Sequence, residues 1–233
     1  MSIASEERLI VALDVPTPRE AKALVERLEG TVRFYKVGLE LFSTDGYFEL
    51  IRWLTSRGNK VFADLKLFDI PETVRRATAN ISRSGASFLT VHAHPSVLAA
   101  AAKEKGAMKV LGVTVLTSFD QADLAEMGAT KTLEQLVTDR ALATAEAGCD
   151  GVISSAHEAR KLKDRFGDRL LVVTPGIRPA EAGKADQKRT MDVAQAFAAG
   201  ADYIVVGRPI RDAADPRAAA AGIQKTISGV FGK

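Results

Sequence analysis

The feature of this sequence that most limits its fold is a repeating unit: a short apolar run followed by a helical pattern. The first run is Leu9-Ile10-Val11-Ala12-Leu13-Asp14-Val15. Its apolar, β-branched character is that of a strand buried on both faces. Pro16 and Pro18 end the run, a helical pattern follows over 19–28, and Gly30 closes that helix. The unit then recurs. Strands are predicted at 32–37, 61–66, 87–92, 109–116, 150–154, 169–174 and 201–206. Helices are predicted at 40–56, 71–84, 96–105, 132–147, 157–165, 191–199 and 215–228. Strands joined through helical crossovers run parallel. Eight such units in 233 residues predict an α/β fold, a single-domain (β/α)8 TIM barrel spanning 1–233, ahead of a doubly wound open sheet. The first turn, Val15-Pro16-Thr17-Pro18, lacks the glycines of a dinucleotide-binding fold.

The rest of the composition narrows the partners. No apolar run reaches the roughly 18 residues of a membrane span, and Met1–Arg8 has no apolar signal-peptide core. Cys149 is the only cysteine, so neither an intramolecular disulfide nor a cysteine zinc cluster is expected, which fits a reducing cytoplasm. The net charge of +3 is spread along the chain without a long basic run. No nucleic-acid motif is present, and the mild positive balance suits an anionic small molecule better than a polynucleotide.

The third unit carries an unusual load of charge. Val61-Phe62-Ala63 leads into Asp64-Leu65-Lys66-Leu67-Phe68-Asp69 and then Ile70-Pro71-Glu72-Thr73. Alternate side chains of a strand point to opposite faces, so Asp64 and Lys66 share one. A carboxylate and an ammonium ending an apolar strand are costly unless paired or functional. Taken alone, the two read as a structural ion pair. Asp69 with Glu72 likewise reads as a helix-start signature with Pro71 in the first turn.

The neighbouring strands shift that reading. Active sites of these barrels lie at the C-terminal ends of the strands. Asp14 ends the first strand, Lys36 the second and His92 the fourth, while Thr117 follows the fifth. Ile10-Ala12-Asp14 and Val32-Phe34-Lys36 each occupy one strand face. Four charged residues from three strands thus converge on one rim. Strand seven leads into Thr174-Pro175-Gly176-Ile177-Arg178 and strand eight into Val206-Gly207-Arg208-Pro209-Ile210. Loops in those two positions frequently bind phosphate. Gly207 permits close backbone approach to an anion, and Arg208 can grip phosphate oxygens in bidentate fashion.

Leu13-Asp14, Tyr35-Lys36-Val37-Gly38, Asp64 through Pro71, Leu116-Thr117-Ser118, Thr174 through Arg178, Asp186-Gln187 and Val206 through Ile210 stand in that order. A chain carrying them resembles the orotidine 5′-phosphate decarboxylase family along essentially its whole length. The resemblance implies loss of the 6-carboxylate of orotidine 5′-phosphate as carbon dioxide, giving uridine 5′-phosphate, with no metal or organic cofactor. It implies a homodimeric carboxy-lyase whose catalytic set is Lys36, Asp64, Lys66 and the partner subunit's Asp69. Lys66 is implied as the proton donor to carbon 6. Asp14, Lys36 and the partner's Thr73 are implied as ribose contacts, and Thr117 as the reader of the pyrimidine edge. Gln187, Gly207 and Arg208 are implied to hold the phosphate, with Arg178 on the same mobile loop, which closes over the ligand.

Where the family usually has a glycine-containing turn after His92-Ala93, this chain has His94-Pro95-Ser96. His92 is expected to be a structural or interface residue. His94 and His157 lie in no metal-ligand pattern. Two rival readings share parts of this motif set. One is a magnesium-dependent sugar-phosphate decarboxylase or synthase built on the same Asp-x-Lys-x-x-Asp core. The other is a catalytically silent barrel that binds a phosphorylated ligand.

Overall fold

The structure, a computed structural model, describes residues 3–178 and 191–232. Eight strands form it: β1 (Leu9–Ala12), β2 (Phe34–Gly38), β3 (Lys60–Leu67), β4 (Phe88–His92), β5 (Lys109–Val113), β6 (Gly151–Ile153), β7 (Leu171–Thr174) and β8 (Tyr203–Val206). They pair in parallel in sequence order, and β8 returns to β1, so the sheet closes into the expected barrel. The surrounding helices are α1 (Pro18–Arg27), α2 (Leu39–Phe42), α3 (Tyr47–Ser56), α4 (Pro71–Arg83), α5 (Pro95–Glu104), α6 (Gln121–Glu126), α7 (Leu133–Glu146), α8 (Ala156–Phe166), α9 (Val193–Ala198), α10 (Arg208–Arg211) and α11 (Pro216–Phe231).

Strand alternation builds two separate cores. Inward-facing Ile10, Ala12, Phe34, Phe62, Phe88, Leu111, Val113, Ile153, Val173, Tyr203 and Val205 pack with one another inside the barrel. Their sequence neighbours point outward beneath the helices. The inner core is aromatic at its base. Phe88 meets Phe34 edge-to-face at 4.9 Å and Tyr203 at 5.2 Å between ring centroids, with Phe62 at 6.0 Å. Such pairs contribute about 0.5–1.5 kcal/mol each beyond their buried area. The expected inward register of Ala12 and Phe34 is therefore met, and it carries Asp14 and Lys36 to the barrel mouth above this hydrocarbon bed.

Four departures from the expected elements bear on the site. The helix predicted over 40–56 is two helices, α2 and α3, because Gly46 adopts φ +90°, a conformation that L side chains rarely take. The first strand ends at Ala12, two residues before Asp14, although Leu13 N still donates to Lys36 O at 2.9 Å. Asp69 does not cap α4. Ile70 occupies the cap position, and the Asp69 carboxylate instead accepts from the Ile70 backbone N–H at 2.7 Å. Finally, β3 is not a regular strand. Ala63 pairs with Leu89 and Leu67 with Val91, so Asp64, Leu65 and Lys66 stand opposite the single residue Thr90. This bulge projects the two charged side chains together from the sheet.

Candidate active site

A cavity of about 600 Å³ opens at the C-terminal ends of the strands. Asp14, Lys36, Asp64 and Lys66 line its floor and wall, with Thr117 and Ser118 from the loop after β5. Gly176, Ile177 and Arg178 follow β7 on the rim, and Gly207, Arg208 and Arg211 follow β8. On the rim after β7, Arg178 N donates to Met191 O at 3.0 Å.

The charges alternate in space. Lys36 Nζ donates to Asp14 Oδ1 at 2.9 Å and lies 3.4 Å from Asp64 Oδ2. Lys66 Nζ reaches Asp64 Oδ1 at 2.8 Å. Asp14, Lys36, Asp64 and Lys66 thus form a row of opposite neighbours across β1, β2 and β3. Burial alone would push the Lys36 ammonium down, but Asp64 and Asp14 outweigh it and hold Lys36 above its ordinary range. Burial likewise opposes charge on Asp64, but Lys36, Lys66 and a hydrogen bond from Thr90 keep its carboxyl below the usual carboxylate range. Both groups are therefore ionised near neutrality despite being enclosed.

The backbone beneath this row is strained. Lys66 has φ +48°, the only left-handed backbone at a non-glycine among the described residues. Holding a lysine there costs on the order of 1–3 kcal/mol. Gly38, paired with Asp64 across β2 and β3, lies under the same charges, and a Cβ there would sit 3.2 Å from Lys36 Nζ. Gly207 has an ordinary φ. A Cβ on it would point at Ala12 and the Asp14 carboxylate, so the glycine leaves backbone rather than side chain facing the cavity.

Of the residues expected from the sequence, Asp14, Lys36, Asp64, Lys66, Thr117, Arg178, Gly207 and Arg208 come together around this one cavity. Asp69 and Thr73 do not line it. They lie on an exposed face with Phe68 and Ile70, whose side chains are 66% and 67% exposed. Gln187, with Asp186, falls outside the described residues. His92, half-buried at the end of β4, packs against the Phe68 ring at 5.3 Å rather than into the cavity. Burial, with Arg140 and Lys66 nearby, lowers its pKa. His94 Nδ1 contacts Ser96 Oγ at 3.0 Å within the atypical turn. No group of three His, Cys, Asp or Glu side chains is placed to hold a metal ion among the described residues.

Two residues were not anticipated. Thr90 lies behind the charges, completely buried, and donates to Asp64 Oδ1 at 2.8 Å. Its signal was available, since Phe88 and Thr90 share strand parity and Phe88 faces inward. Arg211 binds the Asp14 backbone carbonyl and both oxygens of Asp212, joining the loop after β8 to the end of β1. It lies three residues after Arg208 on α10, a helix the sequence pattern did not predict.

The family model described as "Orotidine 5'-phosphate decarboxylase / HUMPS family" matches residues 7–223. An orotidine 5'-phosphate decarboxylase of Methylococcus capsulatus is 54% identical over 226 residues, covering 97% of this chain and 93% of the relative. One from Rhodopseudomonas palustris is 48% identical over 234 residues, covering 100% of this chain and 98% of the relative. Among solved structures, orotidine 5'-phosphate decarboxylase from Lactobacillus acidophilus superposes with a TM-score of 0.85 at 36% identity, covering 95% of this chain and 99% of that one.

Proposed function

Since the chain belongs to the orotidine 5'-phosphate decarboxylase / HUMPS family, we propose that it converts orotidine 5′-phosphate to uridine 5′-phosphate and carbon dioxide, a step of pyrimidine biosynthesis. The observation that carries this reading is the Asp14–Lys36–Asp64–Lys66 row at the mouth of a closed barrel. Cleavage of the bond between carbon 6 and its carboxylate leaves an electron pair on carbon 6. The ammonium of Lys66 stabilises that charge more as it develops, which lowers the barrier selectively. Its proton then passes to carbon 6, and the resulting amine is recharged from water. Asp64, held by Lys36 on one side and Thr90 on the other, aims Lys66.

The remaining roles follow the cavity wall. Asp14 and Lys36 meet the ribose, Thr117 reads the pyrimidine edge, and Gly207 and Arg208, with Arg178 and Gln187, hold the phosphate. No metal or cofactor takes part. The whole of 1–233 acts as one barrel domain. Asp69 and Thr73 act across a homodimer interface, reaching the cavity of the partner subunit. Their exposure beside Phe68 and Ile70, away from the cavity of their own chain, supports that arrangement. The magnesium-dependent sugar-phosphate alternative is not favoured, because the relatives at 54% and 48% identity carry the decarboxylase name. No helix among the described residues is long and apolar enough to cross a membrane, and we place the activity in the cytoplasm.

The direct test follows the loss of orotidine 5′-phosphate absorbance together with the appearance of uridine 5′-phosphate. A purified, folded chain that turns over none of it, while acting on a sugar phosphate with magnesium, would replace this reading.

A further inference from the structure

We propose that Thr90 is a positioning residue for the reaction: its hydroxyl locks the backbone and the ammonium of Lys66 to the same oxygen of Asp64. The inference rests on the decarboxylase reading and deepens it. The bulge in β3 sets three residues opposite Thr90 alone and interrupts the regular ladder at Lys66. There Thr90 Oγ1 accepts from Lys66 N at 3.0 Å. The same hydroxyl spends its single proton on Asp64 Oδ1 at 2.8 Å. Lys66 Nζ returns to that same Oδ1, also at 2.8 Å. The result is a closed ring: Lys66 N–H to Thr90 hydroxyl to Asp64 Oδ1, and back through the ammonium to Lys66.

This ring explains two facts together. Lys66 keeps its φ of +48° because its N–H is tied to Thr90 where the ladder register shifts. Asp64 presents a fixed face because Thr90 and Lys66 converge on Oδ1 while Lys36 takes Oδ2. A hydroxyl is the small group able to donate and accept at once. At a residue with no exposed surface, valine matches its shape and offers neither function. Thr90 does not line the cavity, so its effect on the substrate passes through Lys66.

The test compares Thr90→Val with Thr90→Ser on orotidine 5′-phosphate, with uridine 5′-phosphate affinity as the second readout. Misplacing a reacting group by about 1 Å costs up to about 100-fold in rate, so Thr90→Val should lower kcat about 10- to 100-fold. Product affinity should stay within about twofold, and Thr90→Ser should keep most of the rate. In substrate-free enzyme, amide hydrogen exchange at Lys66 should accelerate in the valine variant and not in the serine one. Thr90→Ala set against Thr90→Ser repeats the comparison should valine prevent folding. Equal kcat in the hydroxyl-bearing and hydroxyl-lacking variants overturns the inference. So does a loss of rate matched by an equal loss of product affinity. A wild-type chain inactive on orotidine 5′-phosphate overturns the functional reading and this inference together, whereas an active wild type with an unimpaired valine variant overturns the inference alone.

Discussion

Replacing Lys36 with methionine removes one charge from the middle of the alternating row and keeps most of the side-chain volume. Lys36 is 9% exposed and serves two carboxylates. The consequence differs between them. The Asp14 side chain is 43% exposed, so water compensates for most of its loss, as at a surface pair worth about 0–1 kcal/mol. The Asp64 side chain is only 12% exposed. Breaking a buried pair by removing one partner costs about 3–5 kcal/mol. Asp64 retains Lys66 and Thr90 at 2.8 Å each, which reduces that figure, and we expect about 2–3 kcal/mol at pH 7. In a chain of this size that lowers Tm by about 5–10 °C.

The sign of the pH dependence is also set. The folded-state pKa of Asp64 is depressed, so its contribution is present above the unfolded carboxylate pKa and is lost as pH falls through the folded value. That of Lys36 is raised, so its contribution is present below the unfolded lysine pKa and is lost as pH rises through the folded value. In Lys36→Met the Asp64 carboxylate loses a cation, and protonation relieves it. Urea unfolding followed by circular dichroism should therefore show a deficit that is full at pH 7 and narrows as the pH is taken down through the carboxylate range. A second change, Asp64→Asn, should cost the methionine variant less than it costs the wild type. A deficit below about 0.5 kcal/mol at pH 7, within the ordinary range for a surface substitution, would refute the reasoning. So would a deficit that stays constant with pH.

Three further outcomes are expected. Arg208→Ala should weaken uridine 5′-phosphate binding by about 1.5–3 kcal/mol for each charged hydrogen bond lost and leave uridine binding unchanged; calorimetry showing an equal loss for both ligands would remove Arg208 from the phosphate grip. Lys66→Ala and Asp69→Ala homodimers should each be nearly inactive, while their mixture after verified subunit exchange should regain one intact site per heterodimer. No regain in that mixture would place Asp69 in its own subunit's chemistry or outside it. Exhaustive EDTA treatment should leave turnover unchanged, whereas loss restored by magnesium would redirect the chain to the sugar-phosphate branch.

The barrel was legible because its signals are local and repeated. Each strand is a continuous apolar run, and parity along β1 and β2 placed Ala12 and Phe34 inside with Asp14 and Lys36 above them. What escaped the sequence was pairing between distant segments. The three-against-one register of β3 and β4 depends on how two strands separated by a helix slide past each other. No periodicity in either strand encodes that slip, so Thr90 could be placed on the inner face but not opposite Asp64 and Lys66. Arg211 was hidden for a related reason: its approach to Asp14 links the two ends of the chain. Asp69 shows the opposite limit. Its sequence context matches a helix cap, and the fold uses Ile70 there instead.

Among the described residues, the aromatic base closes the barrel interior on the side away from the charged row. Phe34, Phe62, Phe88 and Tyr203 interlock across its width below the charged row, so it is a cup and not a pipe. Through the packed base a ligand has no passage, so one that enters between the loops following β5, β7 and β8 leaves on that side too. In the proposed reaction one substrate becomes two products, a nucleotide and a gas, and both share that exit. Whatever narrows the rim during turnover therefore meters two departures at once.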